Sequence, residues 1–492
     1  MMVPAASAGL WMLLVLGGLI VITGAPVWAL LIGVASVFAT LGLLGGNFDM
    51  AILAALAPRI VGLLENDLLQ ALPLYVFIGV LLQRLTVADA MFSALKRVLH
   101  GSGASTGLAA LGVGALIAPM NGSVASSSSL LARLVAPRLG GMNAAASTAL
   151  ISVAATIGVV VPPSLVLILL GDTMLRAHTE ASNLPGFVLG AGHMVNTQDV
   201  FHAALLPAVC VLLLWIAVAW WQGRQFESND PPEPVKWAQA AIALIAVAVI
   251  VLLLGAVFSG KMFAVEAAAS GGVLLFGLAV LARALSWSQW QGVLADTMAL
   301  SGALFALLVG ATTFSLVFRL LGTDRWIAEL LLHSSLSTHT TAALVLLAVA
   351  LCAWVLDAFE MIFVVIPIVA PPLIGMLGDA QQVAVLLLLV LQLSFLIPPI
   401  GYAVLMARSR AGLGAVATGR LLRALLPFML VQALVTALVF VAPRSVHQLD
   451  AAQLPGSGPT PLSAQDVEAT MRAMGNPYAA TEPAPLNPTP IK

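Results

Sequence analysis

The sequence predicts an all-α, polytopic membrane protein built as two inverted repeats, each with a re-entrant helical hairpin and a broken helix. Composition, the length of the apolar runs and a repeated order of features predict it. Of 492 residues, 61% are hydrophobic and 8% charged, against about 25% charged in an ordinary soluble domain. A bilayer-spanning helix needs roughly 20 mostly apolar residues, and the chain is a near-continuous series of such runs as far as Val441. The alternation of a membrane β-barrel strand is absent: Val383 to Leu391 is apolar on every face. A net charge of −1 gives no basic footprint for nucleic acid. Cys210 and Cys352 both lie inside apolar runs, which leaves neither a disulfide framework nor a zinc site.

The elements follow in order. Leu10 to Ile22 resembles a signal core but lacks a positive flank, since no Lys or Arg precedes Arg59. It is read as a retained first membrane helix with the N-terminus outside the cytoplasm. The first repeat, 1–222, then holds a surface helix over Asp49 to Leu69, a hairpin at about 106–138, a broken helix at 144–170, an outside loop Gly171 to Val200 and a helix at 201–221. The polar stretch 223–236, with Asp230-Pro231-Pro232-Glu233-Pro234, is read as a cytoplasmic linker. The second repeat, 237–442, adds a surface helix over Ser286 to Asp296, a hairpin at about 340–377 and a broken helix at 383–406. Residues 443–492, rich in Pro, Ala, Thr and Ser, are expected to be a disordered tail.

The repeat is read from paired letters. Gly122-Ser123-Val124-Ala125, Ala136-Pro137-Arg138-Leu139 and Val161-Pro162-Pro163 match, at a near-constant offset, Leu356-Asp357-Ala358-Phe359, Ala370-Pro371-Pro372-Leu373 and Ile397-Pro398-Pro399. Charge gives the orientation. Arg84, Lys96, Arg97, Arg133 and Arg138 flank the first hairpin and fall in the cytoplasm by the positive-inside rule. Counting crossings from there brings the second hairpin in from outside, and places Arg408, Arg410, Arg420 and Arg423 inside. Arg59, Arg319 and Arg325 are left outside, against the rule.

Irregular backbone at membrane depth is tolerated where it lines a cavity or is buried in protein. Inverted-repeat transporters put such breaks around a midplane ion and substrate site. Four breaks fit: the tip Asn121 to Ser129, the segment Thr156 to Ser164 with its two prolines, the tip Asp357 to Glu360, and Gln392 to Gly401. Proline removes a backbone donor and frees the carbonyl one turn earlier, so each tip facing a break offers carbonyls and hydroxyls to a cation. Small residues such as Ser126 to Ser129 equally suit close helix packing. Asp357 is different, because a carboxylate inside a membrane segment is paired, solvated or functional. Glu360 beside it shares that role or carries a proton.

These residues, with Ala155-Thr156-Ile157-Gly158 and Pro398-Pro399-Ile400-Gly401, resemble the large membrane subunit of tripartite ATP-independent periplasmic (TRAP) transporters. The likeness covers about residues 8–441. The resemblance implies a multi-pass permease of the bacterial inner membrane that imports organic anions, usually carboxylates, by an elevator movement. Sodium (Na+) is then the coupling ion, with no organic cofactor. The implied partners are a small four-helix membrane subunit, a periplasmic substrate-binding protein and the lipid bilayer. It carries the two sodium sites onto Ser123, Thr156, Gly158 and Pro162, and onto Asp357, Ser394, Pro398 and Gly401. Asn121, Gly122, Ser126, Ser164, Glu360 and Gln392 then line the substrate pathway. One departure stands out: the family commonly has Gly-Leu-Ile-Thr before the second Pro-Pro, where this chain has Ser394-Phe395-Leu396-Ile397.

A stand-alone sodium or proton symporter for carboxylates, needing no binding protein, is the alternative. An intramembrane enzyme is disfavoured, since no His-Glu-x-x-His or Cys/His cluster appears and both Gly-Asp pairs fall at predicted loops. A pore lacks a ring-forming charge series.

Overall fold

In the computed structural model, which describes residues 5–46, 48–99, 103–121, 123–138, 143–161, 164–183, 196–224, 237–259, 261–411 and 416–448, the described chain is helical with no strand. The helices α1 (Ala5–Thr23) and α2 (Val27–Leu44) lead to three short pieces, α3 (Met50–Leu53), α4 (Leu56–Leu64) and α5 (Asp67–Gln70). Next come α6 (Leu72–Arg84) and α7 (Val87–Val98), then α8 (Ser105–Ile117) and α9 (Val124–Val135), between which lies the 3-10 turn Ala118–Asn121. The halves of one bent helix follow, α10 (Ala144–Val160) and α11 (Leu165–Ala181), and then α12 (Thr197–Gly223).

The rest of the chain begins with α13 (Trp237–Phe258), α14 (Ala264–Leu281), α15 (Trp287–Leu320) and α16 (Thr323–Leu332). Then α17 (Thr338–Ala353) is followed by α18 (Ala358–Glu360), which passes through a π-helical turn, Met361–Val365, into α19 (Ile366–Leu377). The series ends with α20 (Ala380–Phe395), α21 (Tyr402–Ala411) and α22 (Thr418–Val441). Among the described residues six helices are long and apolar enough to cross a membrane, and two bent pairs raise this to eight.

Helix starts recur at matched positions because the capping residues do. Ser123 caps α9 by accepting from the Ser126 amide at 3.1 Å, and its mate Asp357 caps α18. Asn143 caps α10 and its mate Asp379 caps α20, accepting from Ala146 and Gln382 at 2.8 and 3.0 Å. Each satisfies an amide that the first turn of a helix leaves without a partner.

A helix apolar on every face must be buried in protein or set in lipid. Both outcomes occur here. The run Val383 to Leu391 in α20 is buried throughout, as is Ser147 to Val160 in α10, and these two helices pack against each other at the centre. By contrast α13 leaves Leu244, Val251 and Leu252 exposed, an apolar surface suited to lipid or to another membrane helix. Around the centre the packing is reciprocal. Helix α8 lies on α10 and α17 on α20, while α9 packs on α21 and α19 on α11.

Three expectations about local structure change. Ser286 to Asp296 is not a separate surface helix: a capping box from Ser286 and Gln289 starts α15, and no proline stops it before Leu320. The expected loop Gly171 to Val200 is helical at both ends. Met174, Ala177 and Ala181 keep a buried stripe at helical spacing as far as Ala181, and an Asn196–Asp199 capping box opens α12 before Val200. The surface helix expected over Asp49 to Leu69 is broken into α3, α4 and α5. Gly122, Pro162, Pro163, most of the linker and the tail from Leu449 lie outside the described residues.

Candidate functional site

Each tip meets one of the two central helices, α10 or α20, near its C-terminal end. In the first, the turn Ala118–Asn121 lies on α10. The approach is so close that a Cβ on Gly158 would sit 2.5 Å from the Ala118 carbonyl carbon and oxygen, so only glycine leaves room. In the second, the Trp354 indole at the end of α17 donates to the Ile397 carbonyl at 2.8 Å, immediately before Pro398. That carbonyl also accepts from the Gly401 amide at 2.9 Å, closing the turn between α20 and α21. A Cβ on Gly401 would meet the Phe395 and Ile397 carbonyl oxygens at 2.7 and 2.6 Å. Glycine is required at both places by backbone approaching backbone, not by a positive φ.

Prolines at 398 and 399 offer no amide to the Ser394 and Phe395 carbonyls. The first is taken by the Ile397 amide at 3.1 Å in a tightened last turn. The hydroxyls of Thr156 and Ser394 donate back to their own helices, to Val153 at 2.9 Å and Val390 at 2.8 Å. Their lone pairs stay available, which is what a cation would use.

At the second tip the carboxylates are ordered by the backbone. Asp357 Oδ1 accepts from the Phe359 and Glu360 amides at 2.8 and 3.1 Å, and Glu360 Oε2 accepts from the Asp357 amide at 3.1 Å. This capping box fixes both side chains at the start of the apolar span Ala358–Leu377. The following residues leave the α-helical pattern at Met361–Val365, because Pro367 has no amide and its ring would clash with the Phe363 carbonyl. Such π turns are frequent at functional sites.

A hydrogen-bonded chain joins α10, α20 and α22 near the C-terminal ends of the first two. Gln392 Nε2 donates to the Thr156 carbonyl at 3.2 Å, and Gln432 Nε2 on α22 donates to Gln392 Oε1 at 2.8 Å and to the Leu389 carbonyl at 3.2 Å. All three residues are buried, and in sequence Thr156 precedes Pro162-Pro163 as Gln392 precedes Pro398-Pro399. Gln392→Met should cost about 1–3 kcal/mol, because it leaves the Thr156 carbonyl and Gln432 amide short of partners in an apolar core. Thermal unfolding of the purified protein checks this, with Gln222→Met, on a part-buried bond to the Ala424 carbonyl, as the milder comparison.

Of the remaining expected residues, Ser126 on α9 accepts from Gln83 Nε2 at 2.5 Å, which ties the first hairpin to α6. Ser164 caps α11, accepting from Leu167 at 3.1 Å. Asn121 belongs to the 3-10 turn of the first tip. The structure thus brings Gly158 against the first tip, Asp357 against Glu360 at the second, Gly401 against the turn before Pro398, and Thr156 against Gln392. Ser123 acts as a cap, whereas Gly122 and Pro162 lie outside the described residues. Trp354, Gln432 and Gln83 are additions. A lone glutamine in the apolar stretch of α22 is a signal that sequence reading can use; Trp354 looked like any apolar residue.

Comparison with known proteins adds the family. Residues 12–445 match the family described as "Tripartite ATP-independent periplasmic transporter, DctM component". The chain is 23% identical over 405 residues to the sialic acid TRAP transporter large permease protein SiaM of Vibrio cholerae, covering 79% of this chain and 87% of that one. It is 21% identical to the C4-dicarboxylate TRAP transporter large permease protein DctM of Rhodobacter capsulatus, covering 77% and 88%. The isethionate TRAP transporter permease protein DctMQ of Oleidesulfovibrio alaskensis is 23% identical, covering 76% of this chain and 57% of that one. Among solved structures, the fold is shared with the YdaH transporter of Alcanivorax borkumensis at a TM-score of 0.60 and 15% identity, over 89% of this chain and 98% of that one. With the family's description matched across nearly the whole membrane region, the chain belongs to the DctM component of the tripartite ATP-independent periplasmic transporters.

Proposed function

We propose that this permease is a sodium-coupled secondary transporter that imports organic acids handed to it by a periplasmic binding protein, using an elevator-type alternating-access movement. A DctM-family permease is a multi-pass inner-membrane protein that works with a substrate-binding protein and a small membrane subunit; we take that subunit to have four helices. The relatives named for sialic acid, isethionate and C4-dicarboxylates share an acid group, and the substrate class proposed here is that of small organic acids. The two halves, 1–222 and 237–442, are taken as inverted repeats. One sodium site is assigned to the first tip with Ser123, Thr156, Gly158 and Pro162, the other to Asp357, Ser394, Pro398 and Gly401.

The observation that carries this reading is the reciprocal meeting of tip and break: Ala118 against Gly158, Trp354 on Ile397, with Thr156 and Gln392 bonded between them. Carbonyls freed by prolines and hydroxyls with open lone pairs suit a monovalent cation without placing a large charge in the membrane. The test is uptake of labelled succinate, isethionate and sialic acid into proteoliposomes holding the permease and its small subunit. Uptake of at least one acid should require both an inward sodium gradient and the added binding protein. Uptake without the binding protein would replace the reading by a stand-alone symporter, and indifference to sodium would remove the coupling ion.

A further inference from the structure

The three arginines that the positive-inside rule leaves outside converge on one cleft. Arg59 and Arg319 line a cavity of about 580 Å³, and Arg319 and Arg325 line an adjoining one of about 450 Å³. The cavities share Glu180, Ser315, Arg319 and Pro367, so they form one cleft divided at the Arg319 side chain. One wall is α11, the other α4, α15 and α16, and the second leg of the hairpin that ends at Asp357 closes the side between them.

We infer that this cleft is an anion site, in which the acid group of an organic acid, a carboxylate or sulfonate, takes the place of Glu180 on Arg319. The inference rests on the organic-acid import proposed above and on the orientation read from charge, which puts these arginines outside. Arg319 pairs with Glu180 at 2.5 Å across the cleft, and both side chains are about one-third exposed, at 33% and 32%. One carboxylate cannot use all five guanidinium donors, and a fork of this shape accepts any planar or tetrahedral oxyanion in its stead. The Arg59 side chain makes no hydrogen bond or close ion pair among the described residues, though its charge acts on Glu180. Arg176, by contrast, is held by Asp172 at 3.2 Å, and Asp172 accepts from Asn66 at 3.2 Å.

The cavity around Arg59 carries three guanidiniums against two carboxylates, Asp172 and Glu180, while Asp324 and Glu329 face Arg325 in the adjoining one; its volume lies within the range of about 300–1,000 Å³ that encloses small ligands. Ile362 and Phe363 offer an apolar wall for the carbon skeleton. A second consequence follows from the geometry. Glu180 is on α11 and Arg319 on α15, so an anion that displaces Glu180 also unties these two helices. Entry of the acid would then loosen the contact between parts that an elevator movement must slide past each other.

The experiment uses the permease in cells, with Cys210→Ala and Cys352→Ala as background and Ser315→Cys as a reporter inside the cleft. The thiol is treated from the periplasmic side with a sulfonatoethyl and, separately, a trimethylammonioethyl thiosulfonate. The anionic-to-cationic rate ratio should exceed that of the Arg59→Gln/Arg319→Gln background by roughly tenfold, as a focused local field does for a charged reactant. Glu180→Gln, which removes the competing carboxylate, should raise it further. A ratio unchanged by the arginine substitutions, or lowered by Glu180→Gln, overturns the site. If the same ratio and its arginine dependence appear only in inverted vesicles, the anion site stands and the outward orientation falls.

Discussion

Asp357→Asn should lower sodium-driven uptake about a hundredfold, the equivalent of ~2.7 kcal/mol, while leaving the protein inserted and nearly as stable as the parent. The choice of asparagine matters. Asp357 has one task seen in this structure and one proposed: it caps the second leg of the hairpin through the Phe359 and Glu360 amides, and its carboxylate, three residues beyond the Trp354 that bonds Ile397, is assigned to the second sodium site. Asparagine is as good a cap as aspartate, so the first task survives and the charge alone is lost. Asp357→Ala removes both and should cost a further ~1 kcal/mol of stability from the missing cap. Uptake into proteoliposomes and thermal unfolding, measured on the same two preparations, separate the terms. Normal sodium dependence in Asp357→Asn would make the carboxylate a cap and nothing more.

Much of this arrangement was legible in the letters, for physical reasons that can be named. Proline and the capping residues act locally, so the breaks at Pro398 and the helix starts at Ser123, Asn143, Asp357 and Asp379 are fixed by residues adjacent in sequence. The all-round apolarity of Val383 to Leu391 likewise announced a helix with no polar face, and it became the buried centre. What sequence reading missed depends on partners distant along the chain. Nothing near Trp354 indicates that its indole would reach Ile397, and Gln83 meets Ser126 only because α6 lies against the first tip. Arg59 and Arg319, which the orientation read from charge leaves outside against the rule, lie in one cleft with Glu180. The helical end of the expected loop was hidden because Thr173, Arg176, Thr179 and Glu180 dilute the apolar stripe that carries α11 to Ala181.

Gly158→Ala isolates the contact between tip and break, and here two effects of opposite sign must be weighed. Within a helix, alanine is favoured over glycine by about 1 kcal/mol. Against that, the new methyl would lie 2.5 Å from the backbone carbon and oxygen of Ala118 and 2.9 Å from its Cβ. Backbone atoms cannot rotate out of the way as the end of a flexible side chain can, so the tip itself must shift. Inserting a methylene into a packed core costs typically 1–3 kcal/mol, and this contact is at the tight end of such cases. The clash therefore wins. The expected result is a net loss of about 1–2 kcal/mol together with loss of uptake, because displacing the tip opens the space where its carbonyls face α10. Gly255→Ala in α13 is the comparison, since nothing lies within 4 Å of the position its Cβ would take; it gains the same propensity and meets no obstacle. Should the two variants unfold at the same temperature and transport equally well, the first tip does not bear on α10 in the way the packing requires, and the proposed cage at that end loses its wall.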